Sequence, residues 1–176
     1  MNRLLRLFAP RYYVAAVTHL TPSRLRAWGI EALMLDLDNT VVAWGKIEPP
    51  DEVLVWLEDL RQSGIPVCLV SNTLSRRLGA AQVVFDLPVA RGRSKPSADK
   101  LRRALRILGT LPERTAMVGD QLFTDVLAGN RLGVPTILTG PISTYEPLRI
   151  RFVRAIERFV LRVLACKGVA PIRPQV

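Results

Sequence analysis

Acidic residues are nearly missing from both ends of this 176-residue chain. Residues 1–35 hold five arginines and one acid, Glu31, and residues 148–176 hold seven lysines or arginines against Glu157. The stretch between them carries 13 residues of each sign, so the formal charge of +10 belongs to the ends. Such a layout speaks against a uniformly basic nucleic-acid binder and for an anionic partner met by the termini. A solubilising surplus is the plainer alternative.

Histidine and cysteine are scarce as well. Cys68 lies inside the apolar run "PVCLV" and Cys166 near the end of a basic helix, and neither has a histidine or second cysteine at metal-ligand spacing. Both read as reduced thiols. The single histidine, His19, is isolated in "AAVTHLTPS" and reads as structural. No run approaches the roughly 20 apolar residues of a spanning helix. "MNRLLRLFAPRYYVAAV" begins like a secretory signal, but Arg6, Pro10 and Arg11 break its apolar segment and no small-residue cleavage site follows. Repeats and low-complexity tracts are absent, and 49% hydrophobic content suits one domain with a substantial core.

What is present is an alternation of strands and helices. "EALMLDL" (31–37), "IPVCLV" (65–70), "LPVA" (87–90), "TAMV" (115–118) and "VPTILTG" (134–140) read as strands. Helices follow Pro49–Pro50 with Asp51 and Glu52, then "NTLSRRLGAA", "PSADKLRRALRILG" and "LFTDVLAGNRLG". This pattern predicts an α/β fold of three layers, Rossmann-like, around a mostly parallel sheet. In such sheets ligands bind at the carboxyl ends of the strands.

Those ends carry Asp36 with Asp38 and Thr40, Ser71 with Asn72, a loop leading to Lys95, and Gly119 with Asp120 and then Asp125. Converging carboxylates repel unless a cation sits among them, and hard oxygen ligands favour Mg²⁺. A lysine and a serine hydroxyl in the same cleft suit a phosphate.

Taken together, "DLDNT" (36–40), "VSNT" (70–73), Lys95 in "RSKP" and "VGDQLFTD" (118–125) resemble the four motifs of the haloacid dehalogenase-like (HAD) phosphatases over roughly residues 31–140. The resemblance implies Asp36 as the nucleophile that forms an aspartyl-phosphate. It implies Asp38 as the acid that protonates the leaving oxygen and then the base that activates water. Ser71 and Asn72 would bind the phosphoryl group, and Lys95 would neutralise its charge. Asp36, the Asp38 backbone carbonyl and Asp120 would ligate Mg²⁺, with Asp125, Gly119 and Thr40 behind them. An acid two residues after the nucleophile favours a phosphatase over a dehalogenase, whose reaction has no alkoxide to protonate.

No insertion long enough for a cap domain is present. Residues 41–49 alone separate "DLDNT" from the next helix, and Ser71 and Lys95 lie 24 positions apart. The chain thus reads as a single uncapped domain, residues 1–176, with a core near 31–140, a basic segment at 1–30 and a helix at 147–168. An open site suits a phosphate carried on something large, and Trp44 in the short flap is placed either to meet the leaving group or to pack.

The helix sets Arg151, Arg154, Arg158 and Arg162 against a stripe of Ile150, Val153, Ile156, Val160, Leu161 and Leu164. That pattern fits an interfacial helix on an anionic phospholipid surface, or a helix docked on its own domain with arginines in water. "FAPRYYV…HLTPSRLRAWGIEALMLDLDNT" also resembles a branch of small bacterial phosphatases related to a mitochondrial phosphatidylglycerophosphate phosphatase. It implies an enzyme that converts phosphatidylglycerophosphate to phosphatidylglycerol, while the basic ends and the lack of a spanning run fit a cytoplasmic protein peripheral on the inner face of the membrane. A phosphatase of soluble, protein or nucleic-acid phosphates is the alternative, as is a non-catalytic protein meeting RNA or a ribosome through its basic ends. The sequence leaves the oligomeric state open.

Overall fold

A computed structural model describes residues 3–171 and 174. Five parallel strands form one sheet in the order β1-β5-β4-β2-β3. They are β1 (Tyr12–Val14), β2 (Ala32–Leu35), β3 (Val67–Leu69), β4 (Thr115–Gly119) and β5 (Thr136–Thr139). Seven α-helices accompany them: α1 (Arg3–Arg6), α2 (Pro22–Ala27), α3 (Asp51–Gln62), α4 (Ser75–Phe85), α5 (Asp99–Leu108), α6 (Leu127–Leu132) and α7 (Leu148–Cys166).

The interior strand β2, between β4 and β3, is buried along its whole length because helices cover both faces of the sheet. Its side chains alternate between layers. Leu33 and Leu35 join Val53, Trp56 and Leu60 of α3 and Phe85 of α4 on one face, whereas Met34 joins Cys68, Met117 and Leu101 and Ala104 of α5 on the other. The register Leu33↔Ala116 and Met34↔Met117 keeps the β4 side chains in the same two layers. An α/β fold of three layers with a parallel sheet and no cap among the described residues is what the sequence predicts.

Two elements differ from the sequence reading. "LPVA" contributes only one bridge, Val89 to Leu69, because the chain leaves β3 after that pair. More important, Tyr12–Val14 is an edge strand paired with Ile137–Thr139. The basic N-terminal segment is thus woven into the sheet, and it carries two short helices, Arg3–Arg6 and Pro22–Ala27. Tyr12 stacks on Trp28 at 3.8 Å, and the Asn130 side chain donates to the carbonyls of Leu7 (2.9 Å) and Ala9 (3.0 Å). Three residues beside an arginine are too few to show a period of two.

The helix α7 forms where expected, but its apolar stripe is not free. Val160 and Leu161 pack on Leu122, Val126 and Leu138, and Leu164 is fully buried. These three residues of the stripe dock on the domain, whereas its Ile156 is 42% exposed. No helix of the described residues is long and apolar enough to cross a membrane.

Candidate active site

Parallel strands deliver their carboxyl ends to one edge of the sheet, and there the polar residues of all four motifs meet. Asp36 follows β2 directly, and its N–H donates to Val118 O at 2.9 Å, which holds it beside β4. Its Oδ1 accepts from Lys95 Nζ at 2.5 Å, and the same ammonium lies 2.6 Å from Asp125 Oδ1. All three side chains are at least nine-tenths buried. Burial raises the Asp36 carboxyl to about 6; Lys95 opposes this, while Asp125 and Asp38 add to it. For Lys95 burial acts to lower the pKa, but the carboxylates of Asp125 and Asp36 outweigh it and hold the ammonium above its usual value.

Asp38, two residues on, meets a different environment. It faces the cleft, 2.5 Å from Arg77 Nη1 of α4, and accepts from Gly45 N at 3.4 Å. Arg77 also donates to Thr73 Oγ1 at 3.0 Å and to the Lys46 carbonyl, so it ties the Asp38 side chain to the flap and to α4. Trp44 of that flap, half-buried, lines the same cleft of about 420 Å³ together with Asp36, Ser71, Lys95, Gln121, Thr124 and Arg149. A larger cavity of about 830 Å³ lies at the opposite ends of the strands, lined by Leu54, Leu57, Phe85, Ile107 and Leu108, and lacks such a cluster of functional groups.

Ser71 and Asn72 stand after β3. Asn72 Nδ2 donates to Lys95 O at 3.0 Å and its Oδ1 accepts from Lys95 N at 2.7 Å, so it clamps the lysine's backbone. Ser71 Oγ accepts from Thr73 N at 3.2 Å. Behind them the buried ammonium of Lys100 donates to the Ser71 carbonyl and to Asn72 Oδ1. Burial, and then its neighbour Lys95, lower the Lys100 pKa.

Asp120 follows β4, and burial pushes its carboxyl well above the ordinary range, with Arg154 opposing. Arg154, from α7, pairs with Asp120 Oδ2 and donates to its carbonyl at 3.0 Å. The same guanidinium donates from Nε to both oxygens of Glu146, at 2.6 and 2.7 Å. Glu146 in turn accepts from Asn39 Nδ2 at 2.6 Å. Asn39 occupies the left-handed region (φ 58°), which an asparagine tolerates better than most side chains. Its backbone carbonyl accepts from Ile142 N and its Oδ1 from Ser143 N, so it fastens the loop ahead of α7 to the end of β2.

Gly119 closes β4. A side chain there would collide with the carboxylate of Asp125, so glycine makes room for that acid. The segment after it opens as a π-turn, Leu122–Val126, which turns Asp125 back to accept from Gln121 N at 3.2 Å. Thr40 is fully buried, and its hydroxyl finds no partner among the described residues.

Asp36, Asp120 and Asp125 each offer a carboxylate oxygen within 4.8 Å of the other two, and all three are buried. Among the described residues Asp120 Oδ1 has no hydrogen-bond partner. Three convergent hard oxygen donors, one of them unpaired, fit a divalent cation such as Mg²⁺. Asp125 shares this cluster with Asp36 and Asp120. The site also contains Arg77, Lys100, Glu146 and Arg154, which the sequence reading does not single out as site residues. Their roles depend on helices folding back onto the strand ends, and a lysine or arginine on a helix reads as solvated.

Residues 92–141 match the family model described as HAD-hydrolase-like. The chain is 34% identical to the "probable phosphatase YqeG" of Bacillus subtilis (strain 168), over 94% of this chain and 96% of that protein. It is 28% identical to the chloroplastic/mitochondrial phosphatidylglycerophosphate phosphatase 1 of Arabidopsis thaliana, over 93% of this chain and 50% of that one. Its fold resembles a HAD-superfamily hydrolase from Ehrlichia chaffeensis with a TM-score of 0.50 and 15% identity, over 77% of this chain and 98% of the other.

Proposed function

Because the chain belongs to the HAD phosphatases, in the branch of the YqeG phosphatase and related to phosphatidylglycerophosphate phosphatases, we propose a specific reaction for it. It removes the terminal phosphate of phosphatidylglycerophosphate, with Mg²⁺ and an aspartyl-phosphate intermediate, and leaves phosphatidylglycerol at the membrane surface.

The contrast between Asp36 and Asp38 carries the chemical part. Asp36 is buried beside Lys95 and the acidic cluster, whereas Asp38 stands in the cleft against Arg77. An oxygen of Asp36 attacks phosphorus in line, and the bond to the leaving oxygen breaks as Asp38 gives that oxygen a proton. Asp38 then takes a proton from a water that attacks the same phosphorus, which releases inorganic phosphate and restores Asp36. Lys95 stays charged and neutralises the phosphoryl oxygens beside Asp36, and Ser71 donates to them. When bound by Asp36, Asp120 and Asp125, with the Asp38 carbonyl, Mg²⁺ supplies further charge neutralisation at those oxygens.

The lipid part rests on the plant relative's name, the uncapped cleft and the basic ends, which suit peripheral contact with an anionic membrane. Phosphate release from phosphatidylglycerophosphate in mixed micelles, beside a panel of soluble phosphomonoesters and with or without Mg²⁺, tests both parts. Turnover should need Mg²⁺ and be fastest on the lipid. Faster turnover of a soluble ester would sink the lipid assignment and leave the phosphatase standing.

A further inference from the structure

The inner side of α7 is spent on the domain, yet its outer side is also apolar. Leu148, Phe152 and Phe159 are 78, 69 and 66% exposed, and Tyr145 just ahead of the helix is 82% exposed. At about 100° per residue, Leu148, Phe152 and Phe159 fall within roughly 40° of one another. Arg151, Arg158 and Arg162, all exposed, run along one flank of this stripe. The only acid on the helix, Glu157, lies on the opposite side and is buried. Large aromatics at such exposure are costly in water and mark a surface that meets a partner.

We infer that the outer face of α7 is the surface by which the protein lies on an anionic lipid leaflet, with Phe152 and Phe159 in the acyl boundary and Arg151, Arg158 and Arg162 among the headgroups. Charge complementarity selects this occupant: an apolar stripe flanked by unopposed arginines matches the negative surface of a membrane. Position supports it too, since Arg149 and Ile150 of the same helix wall the catalytic cleft. A helix lying flat there sets the mouth of the cleft at headgroup depth, where a lipid's phosphate reaches Asp36 without leaving the leaflet. The inference rests on the lipid phosphatase reading, and it uses other residues than the stripe picked out in the sequence, of which Val160, Leu161 and Leu164 pack on the domain.

The test uses the full chain and vesicles of phosphatidylcholine alone or equimolar with phosphatidylglycerol. Wild type should co-sediment with the anionic vesicles only, and F152S/F159S should bind them at least about tenfold more weakly. R151E/R158E should weaken binding by roughly fivefold or more per arginine. Both variants should hydrolyse p-nitrophenyl phosphate as wild type does, which also shows that they fold. A tryptophan introduced as F152W should be quenched by brominated lipid. Unchanged vesicle binding by F152S/F159S, or no quenching of F152W, overturns the docking face. So does a dimer that F152S/F159S dissociates while wild type ignores vesicles, which would assign the face to a second copy. Vesicle binding lost in the variants with no phosphatidylglycerophosphate turnover by wild type would instead sink the substrate and keep the surface.

Discussion

Arg154 and Asp120 form an ion pair that joins the last helix of the chain to the carboxylate at the end of β4. Asp120 is fully enclosed in that pair and keeps one oxygen unpaired, so the guanidinium neutralises only part of the acidic cluster. The helix that carries the outer apolar face is thereby wired to the buried acidic cluster.

Replacing Arg154 with methionine should leave Asp120 and Glu146 as buried charges without their cation. The expected loss is about 3–5 kcal/mol in the absence of metal. Mg²⁺ should restore part of it, so the rise in melting temperature on adding Mg²⁺ should be larger in R154M than in wild type. Thermal melts of both proteins with and without Mg²⁺ read this directly. Equal rises would show that Asp120 does not face the ion.

The two aspartates after β2 should fail differently. D36N should lose turnover entirely yet fold, because Lys95 keeps Asp125 at 2.6 Å and the cluster sheds one repelling carboxylate. D38N should retain a residue of activity, lowered by roughly 10²–10⁴-fold. Phosphate release and circular dichroism on each variant check the pair. Near-wild-type rates in either would refute its role.

Glu157 predicts a pH dependence of stability. Burial raises its carboxyl from 4.5 to about 7, more than the Phe123 N–H and Arg154 counteract. Between these values the folded chain holds a proton that the unfolded chain has released. This contribution to stability is therefore fully present below 4.5 and is lost as pH rises through 7. E157Q keeps an acceptor for the Phe123 N–H, 2.9 Å away in wild type, but does not titrate. The advantage of wild type over E157Q should shrink between about pH 5 and pH 8, by at most roughly 3 kcal/mol. Parallel melts across that range measure it, and a constant difference would overturn it.

K100M should strand the Ser71 carbonyl, at a cost of about 1–3 kcal/mol. Since the same ammonium holds Asn72, which clamps Lys95, the phosphate subsite should loosen. KM for p-nitrophenyl phosphate should rise more than kcat falls. A pure kcat defect would place Lys100 elsewhere in the reaction.

The sequence exposes the centre of this molecule more fully than its ends. Strands β2 to β5 each show an apolar run that stops at a polar residue, and one topological rule then brings Asp36, Ser71, Lys95 and Asp120 to a single edge. Asn39, Arg77, Lys100, Glu146 and Arg154 act through partners up to 107 residues away, as for Asn39 and Glu146, and nothing in the local pattern marks them. The apolar count of α7 is also ambiguous. The helix has two apolar stripes, and only tertiary packing decides which one faces inward.

Strand β1 makes its pairing across a long stretch of chain. Arg11 N reaches Thr136, 125 positions away, and Tyr12–Val14 hydrogen-bond to no other strand. Strand β1 is thus made before the strand it pairs with and is among the last of the five to be seated, since β5 must exist before it can add to the sheet. Until then Tyr12 and Tyr13 lack the β5 edge that pairs with them in the finished fold. Such distant closure slows folding, and an edge left unpaired in the meantime is open to association. In the cell, the hazard for this protein falls in the interval before its ends meet.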